Sequence, residues 1–576
     1  MTTVLRVDLT SARTSVEALS EADRRRDPGF GLFGVQELLA TPSLPVYHPG
    51  QPVVFGVGAV AGRRALALPR FSLVAKSPLS GGVGESRVEG PFGPALRDIG
   101  HDAIVVTGRA PRPSYLLVFP TQVYVLDADD LWGMDTTEVT DVLVARHPGA
   151  HVAAIGPAGE NLVRFAGVVT DRGFPAARMG IGAVLGAKNC KAVVLVGGTP
   201  PAAADPRAVQ EITADYVSRI PSNPLTLTEH SAPGFGAWAA EGLEGYLGVR
   251  NYGTAKAAVA AFTAPVHRAT GGCPGCPQEC LKSFQDSDVG TLHQEAVAAF
   301  GGMLGIEDLD AVLRANELCH RWGVDPVSMA GVLAFWCELH GGFGDADALL
   351  ALAEDVVHGR GDGALLAEGV ARAAAVLGQA SEPFAMHSKG VELCGFDPRG
   401  NHGLALAYAV HPLGPRYDAV EHDIDFDPVW GNQLFIDGAA EYGCPPDGLP
   451  MASLDDTKVE MVAALMELWS GYDAVGLCLF AAPPTRNLTG GSAAALVSAV
   501  TGWDVTPAEI REWGRRRLRL MREYNLREGL TSADDVLPDR FFTLPVDGGR
   551  LSGAVLDRPT FEAATVRLRD LLGWPR

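Results

Sequence analysis

Several features are scarce in this 576-residue sequence, and each absence argues against a class of protein. Lys and Arg number 47 against 68 Asp and Glu, which gives a formal net charge of −21. Because nucleic-acid phosphates are bound by clustered basic residues, this balance argues against a nucleic-acid partner. Apolar runs of 18 residues are absent, so the sequence predicts no membrane span.

Cysteine is also sparse, with nine residues in the chain. Those at positions 190, 319, 337, 394, 444 and 478 are scattered singly, which is unlike a disulfide framework. The segment Met1–Asp8 alternates apolar and polar side chains like a strand. It lacks the basic and apolar regions of a signal peptide. We therefore expect a reducing, cytoplasmic location.

The apolar patterns predict an α+β fold, in which a β-rich N-terminal domain is followed by two mainly α-helical domains. We place these domains at residues 1–200, 201–386 and 387–576. The Pro- and Ala-rich segment Thr199–Pro206 marks the first boundary. Strands are predicted at Pro52–Val57, Ala103–Thr107, Ser114–Phe119, Gln122–Leu126 and Lys191–Val196. Helices are predicted within 308–340, on both sides of the turn Trp322–Pro326, and two more within 345–377. Further helices are predicted at 455–470, 506–524 and 559–572.

Three of the cysteines, Cys273, Cys276 and Cys280, are spaced Cys-x2-Cys-x3-Cys. Pro274 and Gly275 favour a tight turn that directs the sulfurs toward one point. Converging thiolates bind zinc or an iron–sulfur cluster, and the triplet alone leaves both possible. It is one ligand short of a four-thiolate site. We look for the fourth ligand at Cys478, where Asp473 and Gly476 precede the cysteine.

Two glycine-rich loops of the first domain, Arg70–Gly93 and Ala176–Asn189, also contain Arg and Lys. Such loops can present backbone N–H groups and positive charge to a phosphate, although turns alone use the same residues. Neither loop has the spacing of a P-loop or of a dinucleotide-binding glycine pattern.

Taken in order along nearly the whole chain, these and further motifs are specific in combination. They are Lys76–Gly81, Phe92–Leu96, Gly100–Ile104, Ile155–Leu162, Gly182–Asn189, the cysteine triplet, Asp397–Gly400 and Asp473–Cys478. The sequence thereby resembles the aldehyde ferredoxin oxidoreductase family, whose members are tungsten-pterin enzymes.

The resemblance implies a first domain that forms the base for a tungsten (or molybdenum) ion held by two pterin dithiolenes. It implies that the helical domains carry a [4Fe–4S] cluster, with the ligands Cys273, Cys276, Cys280 and Cys478. The positions where the family's first domain meets the pterin phosphates are Arg70, Arg87, Ala177 and Arg178. The resemblance is also compatible with a magnesium ion bound between those phosphates. The positions where the helical domains meet the pterin rings are Asp325, Asp473 and Leu477.

Glu295 matches the active-site Glu of the family, in the run His293–Gly301. A carboxylate in a dry pocket beside a metal could activate water or handle the aldehyde proton, because burial raises its pKa. The alternative is an ordinary carboxylate on a helix.

Several positions depart from the family pattern. Family aldehyde oxidases commonly use a His as a second proton-handling residue, whereas this chain has Tyr417 there, with His411 and His422 nearby as alternatives. Arg87 and Glu89 stand where Asn and Gly are common. His320 replaces an acid.

The Glu-x-x-His run that supplies an inter-subunit iron in some members of the family is Arg314–Glu317 here. We therefore predict no bridging iron. A homodimer that forms through packing alone stays open.

The activity implied is oxidation of an aldehyde plus water to a carboxylic acid. Electrons would pass through the cluster to ferredoxin or to an iron–sulfur electron-transfer subunit. Because the second acid/base differs, reduction of an activated acid or acyl thioester on the same cofactors is an alternative. A non-catalytic, cofactor-binding scaffold is another. The intact cysteines and Glu295 favour catalysis.

Overall fold

The computed structural model describes residues 2–62, 65–231, 246–254, 267–271, 273–284, 292–482 and 484–574. All of the predicted site residues lie within these ranges.

The first part of the chain forms two six-stranded sheets. The strands of the first sheet are β1 (Thr2–Asp8), β2 (Arg13–Leu19), β3 (Val53–Val57), β4 (Phe71–Lys76), β5 (Val83–Val88) and β6 (Ala103–Thr107). They lie in the order β2-β1-β6-β3-β4-β5. The pair β1 and β6 is parallel, and the other neighbours are antiparallel.

The second sheet follows directly in the chain. Its strands are β7 (Ser114–Val118), β8 (Val123–Asp127), β9 (Ala150–Ala154), β10 (Val168–Thr170), β11 (Phe174–Ala176) and β12 (Cys190–Val196). They lie in the order β11-β10-β9-β12-β7-β8. Only β7 and β12 are parallel among these pairs. Two short hairpins pair 267–271 with 281–284 and 387–388 with 391–392.

Apolar side chains from both sheets and from the helix Phe92–Asp98 pack into one buried cluster that includes Phe71, Phe92, Leu116 and Val193. The Phe71 and Phe92 ring centroids are 5.1 Å apart. The strands β5 and β11 are the end strands of their sheets. The chain just after β5 meets β11, since a Cβ added at Gly90 would lie 2.6 Å from the Phe174 ring. This packing brings the loops beside β4, β5 and β11 together.

In the described part of residues 2–197, short α-helices accompany the sheets at Glu21–Arg26, Phe30–Ala40, Phe92–Asp98, Thr136–Arg146, Pro157–Glu160 and Ile181–Ala187. Helices then dominate the described residues after 206. They are Pro206–Arg219, Pro224–His230, Gln294–Ala296, Leu309–Trp322, Pro326–His340, Ala346–His358, Gly363–Leu366, Val370–Leu377, His402–Val410, Gln433–Gly438, Asp456–Val475, Gly490–Thr501, Pro507–Arg527, Arg540–Thr543 and Arg558–Leu571. The α+β prediction is confirmed. Three helices, rather than the two predicted, lie within 345–377.

One turn between helices is attached to the second sheet. Gly323 ends the helix Leu309–Trp322 at φ 66°, and Asp325 caps the next helix by accepting hydrogen bonds from the N–H groups of Val327 and Ser328. The Asp325 N–H donates to the carbonyl of Phe165 at 3.1 Å. A side chain at Gly323 would lie 2.8 Å from the Gly156 nitrogen. Glycine is therefore required, and the turn holds Asp325 beside the loop that follows β11.

The C-terminal end of the helix Asp456–Val475 is attached to the first sheet. Gly476 caps this helix at φ 85°, and a Cβ there would lie 2.9 Å from the Gly58 Cα. The Cys478 N–H donates to the Ala67 carbonyl at 2.9 Å. These contacts place Asp473 and Cys478 next to Arg70.

One buried apolar cluster includes Val4, Leu333 and Leu568, so that residues of all three predicted domains share core packing. The domain limits at 200 and 386 stay predictions. Among the helices of the described ranges, none combines the length and the apolar character needed to cross a membrane.

Candidate active site

A cavity of about 190 Å³ lies where the two sheets meet the helical part of the chain. Most of the predicted site residues line it: Arg70, Arg87, Ala177, Arg178, Cys273, Cys276, Cys280, Glu295, Asp325, Tyr417 and Cys478. Asp473 and Leu477 are buried but are not part of the lining. Residues that are far apart in the sequence therefore surround one space.

The wall formed by the first sheet contains a network of buried arginines and carboxylates. Arg70 donates to Glu89 at 2.6 Å and to Asp473 at 3.0 Å. Arg87 donates to Asp418 at 2.8 Å and forms an ion pair with Asp473. Asp473 therefore lies behind the two arginines and orients them.

Burial lowers the pKa of Arg87 to about 9, and nearby Arg416 and Arg517 act in the same direction while Asp418 opposes them. The Arg87 Nε is buried and has no hydrogen-bond partner among the described residues, so this guanidinium keeps one N–H donor unused. A bound phosphate could accept from that donor, because guanidinium groups are suited to hydrogen bonds with phosphate oxygens. The first-sheet wall therefore fits an anionic group.

The wall formed by the second sheet is attached to the helical part through Arg178. Its guanidinium donates to Asp325 at 3.1 Å and to the carbonyls of Glu392 and Pro415 at 3.1 and 2.8 Å. Ala177 precedes it in close packing, because a Cβ at Gly167 would lie 2.6 Å from the Ala177 Cα. The loop after β11 is thus held rigidly against the cavity.

The substitution Asp473→Asn should reveal this network as a stability effect. It removes the negative charge that pairs with both Arg70 and Arg87. The same carboxylate lies 3.6 Å from Arg517, so buried arginines lose a shared anionic partner. We expect a loss of about 3–5 kcal/mol, measured as a lower denaturant midpoint. The control Asp347→Asn, which alters a carboxylate whose side chain is 95% exposed, should change stability by less than about 1 kcal/mol. An equal effect of both variants would contradict the network's role.

The four predicted ligand cysteines share the cavity lining. The Cys276 N–H donates to the Cys273 carbonyl at 3.0 Å, and Gly275 and Glu279 have φ values of 76° and 47° that fold the triplet into a tight loop. Burial raises the pKa of all four thiols. Such thiols bind a metal as thiolates only where the metal supplies compensating positive charge.

The spacing of the thiols bears on the kind of metal. Among the described residues, no three His, Cys, Asp or Glu side chains converge closely enough to hold one metal ion. A single zinc ion needs sulfurs about 2.3 Å from one centre, whereas an iron–sulfur cluster binds each thiolate through a different iron atom. The two kinds of site therefore place different demands on the four sulfurs.

Glu295 is a carboxylate of the cavity with one oxygen that no described residue contacts by a hydrogen bond. It lies in the helical turn Gln294–Ala296, which continues as a π-helix over Val297–Met303. Its Oε2 accepts from the Gly395 N–H at 3.3 Å, whereas Oε1 is buried and has no hydrogen-bond partner in the described chain. Burial raises its pKa to about 7. A carboxyl group with a free oxygen and this pKa can exchange a proton near neutral pH.

Tyr417 lines the cavity, and the two nearby histidines do not. His411 is buried elsewhere, and the His422 Nε2 contacts the Tyr417 carbonyl at 3.1 Å, outside the lining. The side chain that meets the Tyr417 hydroxyl is His293, whose Nε2 lies 3.1 Å from it. Sequence reasoning did not assign a role to His293, although it is two residues before Glu295.

Arg416 and Asp418, on either side of Tyr417, were also missed. Arg416 donates two hydrogen bonds to Asp418, at 2.8 and 3.1 Å, and one to the Glu85 carbonyl in β5 at 3.2 Å. The sequence feature that could have indicated a role for them is their position directly beside Tyr417. Of the departures from the family pattern, His320 lines the cavity, and Glu317 accepts from Arg321 at 3.0 Å.

Nearly the whole sequence matches the models of one protein family. Residues 4–197 match the sequence profile described as "Aldehyde ferredoxin oxidoreductase, N-terminal domain", and residues 211–576 match "Aldehyde ferredoxin oxidoreductase, domains 2 & 3". The chain is 29% identical to the tungsten-containing aldehyde ferredoxin oxidoreductase of Pyrococcus furiosus and 30% identical to that of Pyrococcus abyssi. In each case the match covers 99% of this chain and 94% of the relative.

Two further similarities are more distant. The WOR-like subunit of an aliphatic sulfonate oxidoreductase of Pyrococcus furiosus is 25% identical over 88% of this chain and 83% of its own. Among solved structures, the BamBC active-site complex of benzoyl coenzyme A reductase has a TM-score of 0.84 at 20% identity, covering 100% of this chain and 94% of the other. The latter similarity concerns the fold.

Proposed function

The chain belongs to the aldehyde ferredoxin oxidoreductase family, and on this premise we propose that it oxidises an aldehyde plus water to a carboxylic acid. Electrons would leave through a [4Fe–4S] cluster to ferredoxin or to an iron–sulfur subunit. The observation that carries the proposal is Glu295, a buried carboxyl group with a free oxygen and a pKa near 7, in the same cavity as four thiols.

The residues of the cavity fit the cofactors that the family implies. We propose that Arg70, Arg87 and Arg178, with the small residue Ala177, hold the phosphates of a bis-pterin, with or without a magnesium ion. Asp325 and Asp473 already bind these arginines, so they would set the arginine positions as well as approach the pterin rings. Leu477 is fully buried and would support the ring side from behind.

We propose Cys273, Cys276, Cys280 and Cys478 as the ligands of the cluster. Cys478 joins this part of the cavity to the arginine network, because its sulfur lies 3.8 Å from the Glu89 carboxylate that binds Arg70. The segment Asp473–Cys478 would thus touch both cofactors. It would then offer electrons a path from the pterin site to the cluster.

When bound, tungsten held by the pterins supplies the two-electron oxidation, and the cluster carries the electrons onward. The overall reaction converts an aldehyde and water to an acid, two electrons and two protons. Glu295 would take one proton from the attacking water through its free oxygen. Burial of Glu295 keeps bulk water away from its carboxyl group and so keeps the pKa near neutrality.

Reduction of an activated acid or acyl thioester is the second candidate. The observation behind it is Tyr417, whose hydroxyl stands where family aldehyde oxidases commonly have a histidine and stays protonated at neutral pH. A scaffold that binds cofactors without turnover is the third. The three candidates give different results in one set of measurements.

Anaerobically purified protein should contain about one tungsten and four irons per chain and should reduce a viologen dye with aldehydes. Elemental analysis and dye reduction measure both quantities. Zinc without tungsten or molybdenum would contradict the proposal. Full metal content without aldehyde oxidation would leave the reductase, if reduced dye then drives reduction of an acid or thioester, and otherwise the scaffold. Molybdenum in place of tungsten would change only the metal.

A further inference from the structure

We infer that His293 is a positioning residue that holds Tyr417 as a hydrogen-bond donor to the oxygen of the bound substrate. The inference deepens the proposed function and rests on it. It concerns a pair of side chains that come from distant parts of the chain and meet at the cavity wall, with ring centroids 5.3 Å apart.

The contacts of His293 define its tautomer. The backbone N–H of Glu295 donates to the His293 Nδ1 at 3.1 Å, so this nitrogen has a lone pair rather than a proton. Burial lowers the pKa of His293 to about 4, although Glu89 and Asp418 act in the opposite direction. The ring is therefore neutral above that pH. A neutral imidazole with an acceptor Nδ1 carries its one proton on Nε2.

The direction of the second hydrogen bond follows. The His293 Nε2–H donates to the Tyr417 hydroxyl oxygen, at 3.1 Å. The phenolic proton of Tyr417 then cannot point at His293. Among the described residues, this hydroxyl contacts the His293 Nε2, and Tyr417 lines the cavity. The tyrosine proton is thus directed to a ligand in the cavity.

Two further contacts limit the movement of the pair. The His293 ring packs against Phe480 with a centroid distance of 5.8 Å, and the Tyr417 carbonyl is held by His422. Tyr417 and Glu295 face the same cavity, so one substrate can meet both. Tyr417 would polarise the carbonyl oxygen while Glu295 takes a proton from water. Because Tyr417 only donates a hydrogen bond, it keeps its own proton.

The charged surroundings of the pair determine the expected pH dependence. Burial raises the pKa of Tyr417 well above its ordinary value, Asp418, Glu295 and Glu89 act in the same direction, and Arg70 opposes them. Tyr417 therefore stays protonated through the working range, and His293 stays neutral. Between pH 5 and 9 the rate should follow Glu295 alone among these groups.

The test uses the holoenzyme with benzaldehyde as substrate and benzyl viologen as electron acceptor. We expect Tyr417→Phe to lower kcat by about 10²-fold. His293→Leu should lower kcat about as much, and the double variant should be within about threefold of Tyr417→Phe, because both changes remove one hydrogen bond to substrate. His293→Gln, whose amide N–H can still donate to the tyrosine, should recover at least about tenfold over His293→Leu. The acid limb of kcat/KM near pH 7 should persist in every variant.

The following results would overturn the inference. His293→Leu with wild-type kcat, multiplicative losses in the double variant, or His293→Gln as slow as His293→Leu would show that His293 does not act through Tyr417. Loss of the acid limb in Tyr417→Phe would assign that limb to Tyr417. The metal content and the circular dichroism spectrum of each variant are first compared with those of the wild type. If His293→Leu or the double variant differs in either measurement, the decision rests on the kcat values of His293→Gln and Tyr417→Phe.

A second measurement distinguishes failure of the proposed aldehyde oxidation from failure of the inference about His293 and Tyr417. If the metal-loaded wild type oxidises no aldehyde, the pair is tested by calorimetric binding of benzoate, whose carboxylate oxygen can accept the same hydrogen bond. Weaker binding by at least about fivefold in both Tyr417→Phe and His293→Leu supports the inference. Wild-type benzoate affinity in either variant, or no benzoate binding to the wild type, overturns it.

Discussion

Replacing Glu295 by Gln should lower kcat/KM for aldehyde oxidation by about 10²–10⁴-fold while leaving the metal content unchanged. Gln has nearly the same shape as Glu but cannot take a proton from water. In the structure, Oε1 has no hydrogen-bond partner in the described chain, so the substitution breaks no contact of that atom. The expected loss is therefore one of proton transfer rather than of packing.

The pKa of Glu295 gives this prediction a pH dependence. Burial raises the pKa to about 7 from 4.5, so the base form predominates only above about pH 7. In the wild type, kcat/KM should rise tenfold per pH unit below about pH 7 and level off above it. The Gln variant should lack this limb.

Glu295→Gln should raise the free energy of unfolding at alkaline pH even though it lowers the rate of aldehyde oxidation. A carboxyl group whose pKa is raised on folding stabilises the fold fully below its unfolded value of about 4.5, and this contribution is lost as pH rises through about 7. Gln does not ionise, so at pH 8 the Glu295→Gln variant should have a free energy of unfolding higher than that of the wild type by an amount on the order of 3 kcal/mol. A higher denaturant midpoint with lower turnover would show that the activity loss is not unfolding.

Glu317→Gln is the matched control, because Glu317 binds Arg321 on its own helix and does not line the cavity. Its turnover should equal that of the wild type. Unchanged turnover of Glu295→Gln at full metal content would remove Glu295 from the mechanism.

Replacing Cys478 by Ser should reduce the iron content from about four per chain to less than one and lower viologen reduction by at least about 10²-fold. Serine is close in size to cysteine, but its hydroxyl does not form the thiolate that iron requires. Cys478 is separated from the triplet by about 200 residues of sequence, and only the tertiary structure brings it to the same cavity. Iron analysis and the visible absorption of the cluster measure the outcome.

Cys444→Ser is the control for this experiment. Cys444 is buried like Cys478, but its sulfur contacts the Pro445 carbonyl at 3.7 Å and lies outside the cavity lining. This variant should keep its iron and its activity. Full iron in Cys478→Ser would contradict the proposed fourth ligand. Equal iron loss in both variants would point to general instability instead.

Sequence patterns determined the local structure closely, because strands and helices depend on nearby residues. The runs Ala103–Thr107 and Ser114–Phe119 predicted strands that the structure has within one residue. The turn before Asp325 was also visible, since Gly323 and Pro326 end one helix and begin the next. Within 345–377 the pattern missed a break, where Gly359 and Gly361 have positive φ values and a short extra helix follows.

Motifs along the chain, by their resemblance to one family, were sufficient to identify that family and to select residues that mostly line one cavity. They could not assign contacts between motifs. Asp473 was expected at a pterin ring, yet it lies behind Arg70 and Arg87, because the helix end that carries it docks on the first sheet. Its contact with a pterin ring stays a prediction. Arg416 and Asp418 had no signal beyond their position beside Tyr417.

The sequence by itself therefore determined the order of elements, the family and the types of chemical group available. The tertiary structure alone decided which of those groups meet. It placed Cys478 with the triplet and His293 with Tyr417, pairs that depend on packing between elements remote in the chain. It also removed Glu295 from water, and that burial, which no local pattern encodes, raises the pKa of its carboxyl group to about 7.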